Sequence, residues 1–438
     1  MSDLLTPAAR ARQVRDSLPP DGLFSGHQWR VAPRPFSLGT DLAEDFETLG
    51  RVLLQFYRAV NRLYRRSFEG KGWPWVAALL DQGKTPQVIE LQRHQAFKQD
   101  IPRIIRPDIL LTEGGYAISE LDSVPGGVGL TQWLNQTYSG LGDSVLGGLN
   151  GMKDGFASVF GSSEPVHLMV SAESATYRPE MVWLAEQLGD RFQVRDTDFA
   201  GFAPGDSVYR FFELFDLPNI ACADQLFSLA TEKQIRVTPP PKPIFEEKLL
   251  FGLLWNRNLK EFWRQELGEA FFVRLLKIVP RTWVLDPEPL PPHGAYPELE
   301  LTDWRQLKGL SQRDRDLILK VSGYSDIAWG ARGVHLGSDL SVADWSVVVE
   351  NALDAWNRSP YVLQRYHKPR VLQSEWYDFA IDQLKPMPSR ARICPYYFVS
   401  GEGDAARPKL GGVLATLCPS DKKIIHGMTD AILAPCMV

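Results

Sequence analysis

The stretch Arg106-Pro-Asp-Ile-Leu-Leu-Thr-Glu-Gly-Gly-Tyr-Ala-Ile-Ser-Glu-Leu-Asp122 carries the signal that decides the fold of this chain. Two alternating runs flank a Gly-Gly pair, a pattern that predicts a β-hairpin. Glu120 and Asp122 are two residues apart on one strand, so both side chains leave the same face. With a three-residue loop (114–116), Asp108 faces Asp122 and joins them. With a two-residue loop it turns to the opposite face, because a one-residue slip inverts the pattern.

Three carboxylates on one strand pair repel each other unless a cation lies among them. Oxygen ligands at this density suit Mg²⁺, which proteins commonly share with nucleotide phosphates. Arg106 lies two residues before Asp108 on the same face, and Ser-Val-Pro-Gly-Gly-Val-Gly follows Asp122. A cation beside a metal site and a tight glycine turn after it are typical of phosphate binding. The alternative is a solvated edge hairpin with ordinary surface acids.

A lysine and a glycine loop form a second feature. Lys320 ends the apolar run Leu317-Ile-Leu and precedes Val-Ser-Gly-Tyr-Ser and the glycine-rich residues 328–337. This arrangement predicts a phosphate clamp, in which the lysine acts as a point charge and backbone N–H groups of the loop cover the phosphates. A strand end followed by an ordinary hairpin would also explain the glycines. No P-loop sequence and no dinucleotide fingerprint is present.

Periodicity places these motifs among other elements. A helix is expected over residues 41–67, and a glycine-rich segment covers 126–151. A strand–helix–strand unit (166–171, 179–188, 192–195) predicts a small α/β domain, and a proline-rich linker follows at 238–243. Residues 245–279 are helix-rich with an interruption near Gly268. The later strands (317–320, 361–366, 393–399, 412–417) surround a helix at 342–356.

Bulk composition excludes several classes of protein. The 438 residues are 44% apolar and 23% charged, which is typical of a globular chain with more than one domain. A net charge of −5 without a basic run makes nucleic acid a poor partner. No apolar run is long enough to span a membrane, and residues 1–15 lack the apolar core of a secretory signal. The four cysteines have no CxxC spacing, which favours a reducing cytoplasm with buried thiols.

Together these features resemble the ATP-grasp superfamily, in which a strand lysine precedes a glycine loop, a short helix and the strand that holds adenine. The matching segments here are Lys320, Gly330-Ala-Arg-Gly333, residues 342–356 and residues 361–366. The magnesium strands of the family read R-x-D, then E-x-N or E-x-D, often followed by P-G. They match Arg106-Pro-Asp108, Glu120-Leu-Asp122 and Pro125-Gly126, most similarly to D-alanine–D-alanine ligases.

The order of the motifs departs from the ordinary family, because the magnesium segment here precedes the lysine by about two hundred residues. That order resembles the circularly permuted ATP-grasp group, which includes glutathionylspermidine synthase-like proteins. The resemblance implies an α+β or α/β chain with a permuted ATP-grasp fold and a small α/β pre-ATP-grasp domain. Three domains are expected: residues 1–160 with the magnesium hairpin, 161–237 as the pre-ATP-grasp substrate domain, and 238–438 with a helical segment and the ATP-binding part.

The resemblance also implies roles for single residues. Magnesium would be held by Asp108, Glu120 and Asp122. Catalytic charge neutralisation would fall to Arg106 and Arg332. ATP would be bound by Lys320, Ser322, Gly323, Gly330, Gly333, Gln364, Arg365, Tyr366 and, as second phosphate lysine, Lys260 with Lys248 as its rival. Tyr177, Arg178 and Arg392 are candidates for substrate binding. Two positions depart from the family: no proline follows Lys320, and Arg365 stands where an acid is common.

The implied activity is an ATP- and Mg²⁺-dependent carboxylate–amine ligase that forms an acylphosphate from a small-molecule or peptide substrate. The acids and Lys320 are then expected to act on one triphosphate. A non-catalytic ATP-grasp-like scaffold or nucleotide-binding protein is one alternative, although a scaffold has no use for crowded carboxylates. A phosphotransferase without ligation is another. Substrate identity and oligomeric state stay open.

Overall fold

The computed structural model describes residues 5–19, 29–291, 293–328, 332–425 and 430–438. The chain divides into two compact units. The first unit comprises residues 1–54, 94–241 and 368–438, and the second comprises residues 55–93 and 242–367. The expected small domain at 161–237 therefore lies within the first unit, while the three-domain division along the chain stays a prediction.

Helices and strands alternate over both units. The α-helices of the described residues are α1 (Pro7–Asp16), α2 (Thr40–Phe68), α3 (Pro74–Asp81), α4 (Pro86–Arg93), α5 (Val128–Gly140), α6 (Gly151–Ala157), α7 (Arg178–Leu188), α8 (Ala223–Thr231), α9 (Leu249–Trp255), α10 (Lys260–Ile278) and α11 (Val342–Asp354). The strands are β1 (Phe36–Ser37), β2 (Ile104–Thr112), β3 (Gly115–Asp122), β4 (Val166–Val170), β5 (Phe192–Arg195), β6 (Ser207–Phe211), β7 (Arg236–Thr238), β8 (Thr282–Val284), β9 (Leu317–Val321), β10 (Val334–Leu336), β11 (Tyr361–Arg365), β12 (Leu372–Asp378), β13 (Gln383–Ser400), β14 (Arg407–Pro419) and β15 (Ile432–Met437).

The largest sheet of the first unit joins strands from distant parts of the chain. Its order is β1-β15-β14-β13-β2-β3, with β12 paired to β13. One face is apolar and packs on the first half of α2, where Gly50 leaves room for the ring of Tyr397 and the Tyr397 hydroxyl donates to the Phe46 carbonyl at 2.7 Å. Because side chains alternate across a strand, the other face carries the polar residues of the hairpin.

The predicted hairpin forms, and its register answers the open question about Asp108. The loop has two residues, since Thr112 pairs with Gly115. A regular two-residue hairpin would turn Asp108 away, but a β-bulge shifts the register between Asp108 and Ile109, so that Asp108 lies opposite Glu120 and Arg106 opposite Asp122. The three acids therefore share one face, although Asp108 faces Glu120 and not Asp122.

Helix α5 lies in the glycine-rich segment 126–151, and α6 begins at its last residue; the sequence predicted no element for either. Gly155 lies against the ring of Phe398, and Gly151 lies against the backbone of Gly411. Both helices pack on β14, and α6 also packs on β13. The glycines thus serve close packing of helix on sheet, which leaves little apolar periodicity to read.

The predicted strand–helix–strand elements form, as β4, α7 and β5, and belong to a parallel sheet of order β5-β4-β6-β7. It belongs to the same unit as the hairpin. The proline-rich linker begins at the end of β7. The four cysteines are buried thiols, as the sequence predicted.

The second unit contains an antiparallel sheet of order β10-β9-β11-β8. One face buries Leu317, Leu319 and Leu363 in a core with Trp345 and Val349 of α11. The opposite face packs on α9. The predicted interruption of α10 is present, because Gly268 has φ +73°. Within the described ranges, none of the helices combines the length and apolar composition that a membrane span requires.

Candidate functional site

The acidic hairpin holds its carboxylates around one arginine. Arg106 Nε lies 3.0 Å from Asp108 Oδ1, and Arg106 Nη2 lies 2.8 Å from Asp122 Oδ2. All three residues extend from the polar face of β2 and β3, as their register requires. The arginine that the sequence placed beside the acids thus bridges two of them.

Strand β13 completes the surroundings of Asp108. Arg392 Nη1 lies 3.1 Å from Asp108 Oδ2, and the Cys394 thiol lies 3.4 Å from Asp108 Oδ1. Asp108 is only 5% exposed. Burial alone would raise the pKa of its carboxyl, but Arg106 and Arg392 together hold that pKa below its usual range. Asp108 is therefore an anion at neutral pH, and Arg392 joins the hairpin.

The negative charge of Asp122 is balanced by neighbouring cations less completely than that of Asp108. Burial is the main reason that the pKa of its carboxyl is raised, and the nearby charges of Glu120 and Asp108 add to that increase against the effect of Arg106. A divalent cation would relieve this repulsion, and the ligands on offer are the hard oxygens that Mg²⁺ prefers. The donor set thus fits magnesium in chemistry. No group of three acidic, histidine or cysteine side chains in the described part of the chain already has the spacing of a metal site, so the assignment of Asp108, Glu120 and Asp122 to magnesium stays a prediction.

A glycine turn fixes the other end of Arg106. The Gly126 carbonyl accepts hydrogen bonds from Arg106 Nη1 at 3.0 Å and from the Tyr396 hydroxyl at 2.8 Å. A Cβ on Gly126 would overlap the ring of Tyr177. Gly127 follows with φ +88° and caps the N-terminus of α5. The glycines after Asp122 therefore let backbone, guanidinium and two phenol rings meet in a small volume.

The two neighbouring substrate candidates of the small domain separate. The ring of Tyr177 packs against Gly126, just after the hairpin. Arg178 instead forms an ion pair with Asp196 at the end of β5. Glu180, which the sequence did not single out, is buried in the first turn of α7, and its carboxylate accepts a hydrogen bond from Gly129 N at 2.9 Å.

In the second unit, Lys320 lies on the sheet face that packs on α9. It is 6% exposed, and its Nζ donates to Gln364 Oε1 at 2.9 Å. The Gln364 amide donates in turn to Thr282 Oγ1 at 3.1 Å. A chain of side-chain hydrogen bonds therefore crosses three adjacent strands, β9, β11 and β8. The resemblance assigned Lys320 to the phosphates of ATP and Gln364 to its adenine and ribose pocket, and the structure places these two side chains in hydrogen-bond contact.

The β9–β10 loop (residues 322–333) follows β9, and side-chain and packing contacts hold its described residues near the end of that strand. Lys248 donates through Nζ to the carbonyls of Ser322 at 3.4 Å and Ala328 at 3.0 Å. A Cβ on Gly323 would overlap the Glu246 carbonyl. At the far end, Gly333 lies against Val321. Ser322, Gly323 and Gly333 thus have structural reasons for their identity.

The remaining ATP candidates fall in different places. Gly330 lies outside the described residues, and Arg332 is exposed on the loop. Arg365 alternates with Gln364, so it leaves the other face and lies 3.9 Å from Glu298 and 5.8 Å from the Trp283 ring. Tyr366 N donates to the Asp316 carbonyl at 3.0 Å.

The two candidates for the second phosphate lysine differ in position. Lys260 is exposed at the start of α10. Lys248, the rival, is buried and contacts the β9–β10 loop. The position of Lys248 therefore suits the role better than that of Lys260.

Comparisons with known proteins show the fold. No protein-family model matches the chain, and no curated protein matches it. A solved structure of a glutathione synthetase-like effector from Globodera pallida, in its apo form, has a TM-score of 0.52 to this chain at 11% identity, covering 99% of this chain and 97% of its own. The chain therefore shares the mixed α/β fold of that structure over nearly its whole length. A gamma-glutamylcysteine synthetase-like protein from Methylobacillus flagellatus KT covers 87% of this chain and 88% of its own at 11% identity, with a TM-score of 0.40 that is too low to indicate a shared fold.

Proposed function

We propose that this protein is an ATP- and Mg²⁺-dependent ligase that joins a carboxylate to an amine. The observation that carries the proposal is Lys320, a buried strand lysine held by Gln364 directly before a loop that Lys248 anchors. Buried ammonium groups beside backbone N–H groups are suited to triphosphate binding. The strand order along the chain, with the acidic hairpin before this lysine, supports a circularly permuted ATP-grasp arrangement.

The proposed reaction has two steps. A substrate carboxylate oxygen attacks the γ-phosphorus of ATP, and ADP leaves, giving an acylphosphate. An amine then attacks the acyl carbon, inorganic phosphate leaves, and the amine proton is lost to solvent as the amide forms. Asp108, Glu120 and Asp122 would hold Mg²⁺, which would neutralise negative charge on the phosphates.

The protein groups act by position and charge. Lys320 and Lys248 balance the charge of the phosphates, and Arg106 balances negative charge that develops during acyl transfer. Arg332, on the exposed part of the β9–β10 loop, is proposed to assist when the loop covers ATP and excludes water. The substrates are proposed to be small molecules or peptides, with no nucleic acid partner, in the reducing cytoplasm that four buried thiols suit.

A ligation assay tests this function. ADP release is measured with pairs of amino acids, short peptides and polyamines, and the products are identified by mass spectrometry. A covalently joined product that needs both partners is the expected result. A phosphorylated substrate without joining would indicate a phosphotransferase, and ATP binding without any product across the panel would favour the non-catalytic alternative.

The substitution Lys320→Met tests the residue on which the proposal rests. We expect ATP affinity to fall about 10- to 100-fold, because a charge-assisted hydrogen bond contributes roughly 1.5–3 kcal/mol. Lys308→Met is the matched control, since Lys308 pairs with Glu350 at the surface of the same unit. Calorimetry with ATP and Mg²⁺ measures both. Wild-type affinity in Lys320→Met would remove this lysine from the site.

A further inference from the structure

A buried ion pair lies beside the β9–β10 loop. Lys84 Nζ is 2.5 Å from Glu247 Oε1, and both side chains are only 1% exposed. The two residues are 163 positions apart, Lys84 after α3 and Glu247 before α9. Burying two charges costs several kcal/mol per ion, which only good geometry and further hydrogen bonds offset. The position of such a pair therefore needs a reason.

The turn that carries Lys84 is closely packed. Gly83 has φ +75°, and a Cβ there would overlap the Arg358 carbonyl. The neighbouring Gln82 donates through Nε2 to the Trp356 carbonyl at 2.6 Å. The Lys84 ammonium also lies 5.4 Å from the centre of the Tyr324 ring, within the β9–β10 loop. Packing of the turn thus directs Lys84 to the base of that loop.

The second oxygen of Glu247 holds the loop directly. Ser322 Oγ donates to Glu247 Oε2 and itself accepts from Leu249 N at 2.9 Å. The Ser322 carbonyl accepts from Lys248 N at 3.1 Å. One carboxylate therefore connects Lys84 on one side with the first residue of the loop on the other.

We propose that Lys84 is a positioning residue for nucleotide binding. By pairing with one oxygen of Glu247 it keeps that carboxylate oriented, so that the other oxygen holds Ser322 and fixes the base of the β9–β10 loop. Without Lys84, the buried carboxylate would lose its ion-pair partner and turn towards water, and its hydrogen bond to Ser322 would weaken. The proposal rests on the proposed function, since the loop is taken to cover ATP.

A merely structural ion pair makes a different prediction. Replacing both charges with apolar side chains of similar size is often neutral or stabilising, whereas removing one partner is strongly destabilising. The double variant Lys84→Met/Glu247→Met should therefore recover the melting temperature that Lys84→Met loses. If the ion pair positions the loop, the double variant should still show a loosened loop, because it lacks the Glu247 carboxylate that accepts the hydrogen bond from Ser322.

The experiment combines hydrogen exchange of the protein without nucleotide and calorimetry with ATP and Mg²⁺. In both variants we expect the amides of residues 322–328 to exchange about tenfold or more faster, since a local tether of about 1.4 kcal/mol corresponds to a factor of ten. ATP affinity should fall about tenfold or more in both. Arg65→Met is the control, because its ion-pair partner Glu69 lies four residues later, just after the end of α2. The exchange of residues 322–328 in this variant should match the wild type.

Two outcomes would overturn the proposal: unchanged exchange of residues 322–328 in Lys84→Met, or faster exchange in both variants with wild-type ATP affinity. Recovery of wild-type loop exchange together with the melting temperature would show a structural role only. A wild-type protein that binds no ATP would refute the proposed function instead, and the exchange of the loop would still report whether Lys84 holds it.

Discussion

Asp108 combines deep burial with two cationic neighbours. Arg106 and Arg392 each lie within 3.1 Å of one of its oxygens. A bound cation would therefore interact most strongly with Glu120 and Asp122, which are half-buried on the neighbouring strand. In this arrangement Asp108 mainly orients the arginines, while Glu120 offers the more accessible carboxylate.

Glu120→Gln tests the metal assignment at this scale. We expect Mg²⁺-dependent ATP turnover to fall about a hundredfold or more, since charge stabilisation of a transition state by one group is of that order. The melting temperature should change little, because Glu120 is half-buried. Turnover against Mg²⁺ concentration provides the measurement.

Glu113→Gln is the matched control, because Glu113 is an exposed acid in the turn of the same hairpin. It should retain wild-type turnover. Asp108→Asn should lose turnover and also stability, by about 3 kcal/mol or more, since it removes the buried carboxylate that Arg106 and Arg392 both contact. Wild-type Mg²⁺ dependence in both Glu120→Gln and Asp108→Asn would end the magnesium proposal.

Residues that sequence reasoning missed have no local pattern. Arg106, Asp108 and Lys320 stand in recognisable spacings, and these were singled out. Lys84 and Glu247 meet only because two segments 163 residues apart pack together. Single sequences carry no signal for such a pair, because a lysine after a turn and a glutamate before a helix are ordinary surface choices.

At the scale of elements, periodic segments were predictable. Helix α2 was expected over residues 41–67 and forms at Thr40–Phe68. The bulge in the β2–β3 hairpin was not predictable, because Ser119 resembles any strand residue, yet it decides the face of Asp108. Helices α5 and α6 escaped prediction because their glycines serve tertiary contacts.

Helix α5 carries a pH-dependent contact at its N-terminus. Burial is the main cause that raises the pKa of the Glu180 carboxyl to about 7, against hydrogen bonds from the backbone of Gly129, Gly127 and Leu130 that lower it. The folded pKa then exceeds the unfolded value of 4.5. The folded state therefore binds the proton of Glu180 more tightly than the unfolded state does. The resulting contribution to the free energy of unfolding is fully present below about pH 4.5 and is lost as pH rises through 7.

We expect the free energy of unfolding to lose a component on the order of 3 kcal/mol between pH 5 and pH 8 through this group. Urea unfolding at both pH values measures it, and Glu180→Gln should remove this component. Glu186→Gln, an exposed acid on the same helix α7, should keep the wild-type slope. Identical slopes for wild type and Glu180→Gln would contradict the assignment.

At the scale of the whole molecule, the main sheet of the first unit depends on both ends of the chain. Strands β2 and β3 come from the first third, and β12 to β15 come from the last seventy residues. The hairpin β2–β3 is joined to the sheet through β13, with Arg392 opposite Leu110 and Phe398 opposite Ile104. An isolated two-stranded hairpin is at best marginally stable in water. The acidic site therefore requires the C-terminal segment, although every acid lies near the start of the chain.

A truncation to residues 1–367 tests this dependence. Without β13, the amides of residues 104–122 should lose their hydrogen-exchange protection, because β2 then pairs with β3 alone and the polar face has lost Arg392 and Cys394. The second unit retains all its residues in this fragment, so overall circular dichroism alone would not decide. Exchange measured on peptides from 104–122 reports the hairpin specifically.

The control cuts the chain without removing a strand. A protease site inserted at the exposed residues 401–405, between β13 and β14, leaves both strands in place, and they remain paired from Ser389–Pro419 to Ser400–Arg407. After cleavage we expect residues 104–122 to stay protected, because non-covalent pairing across twelve residue pairs keeps β13 in the sheet. Protection of the hairpin in the 1–367 fragment, or its loss after this single cut, would show that the C-terminal strands do not hold the acidic site in the way their register indicates.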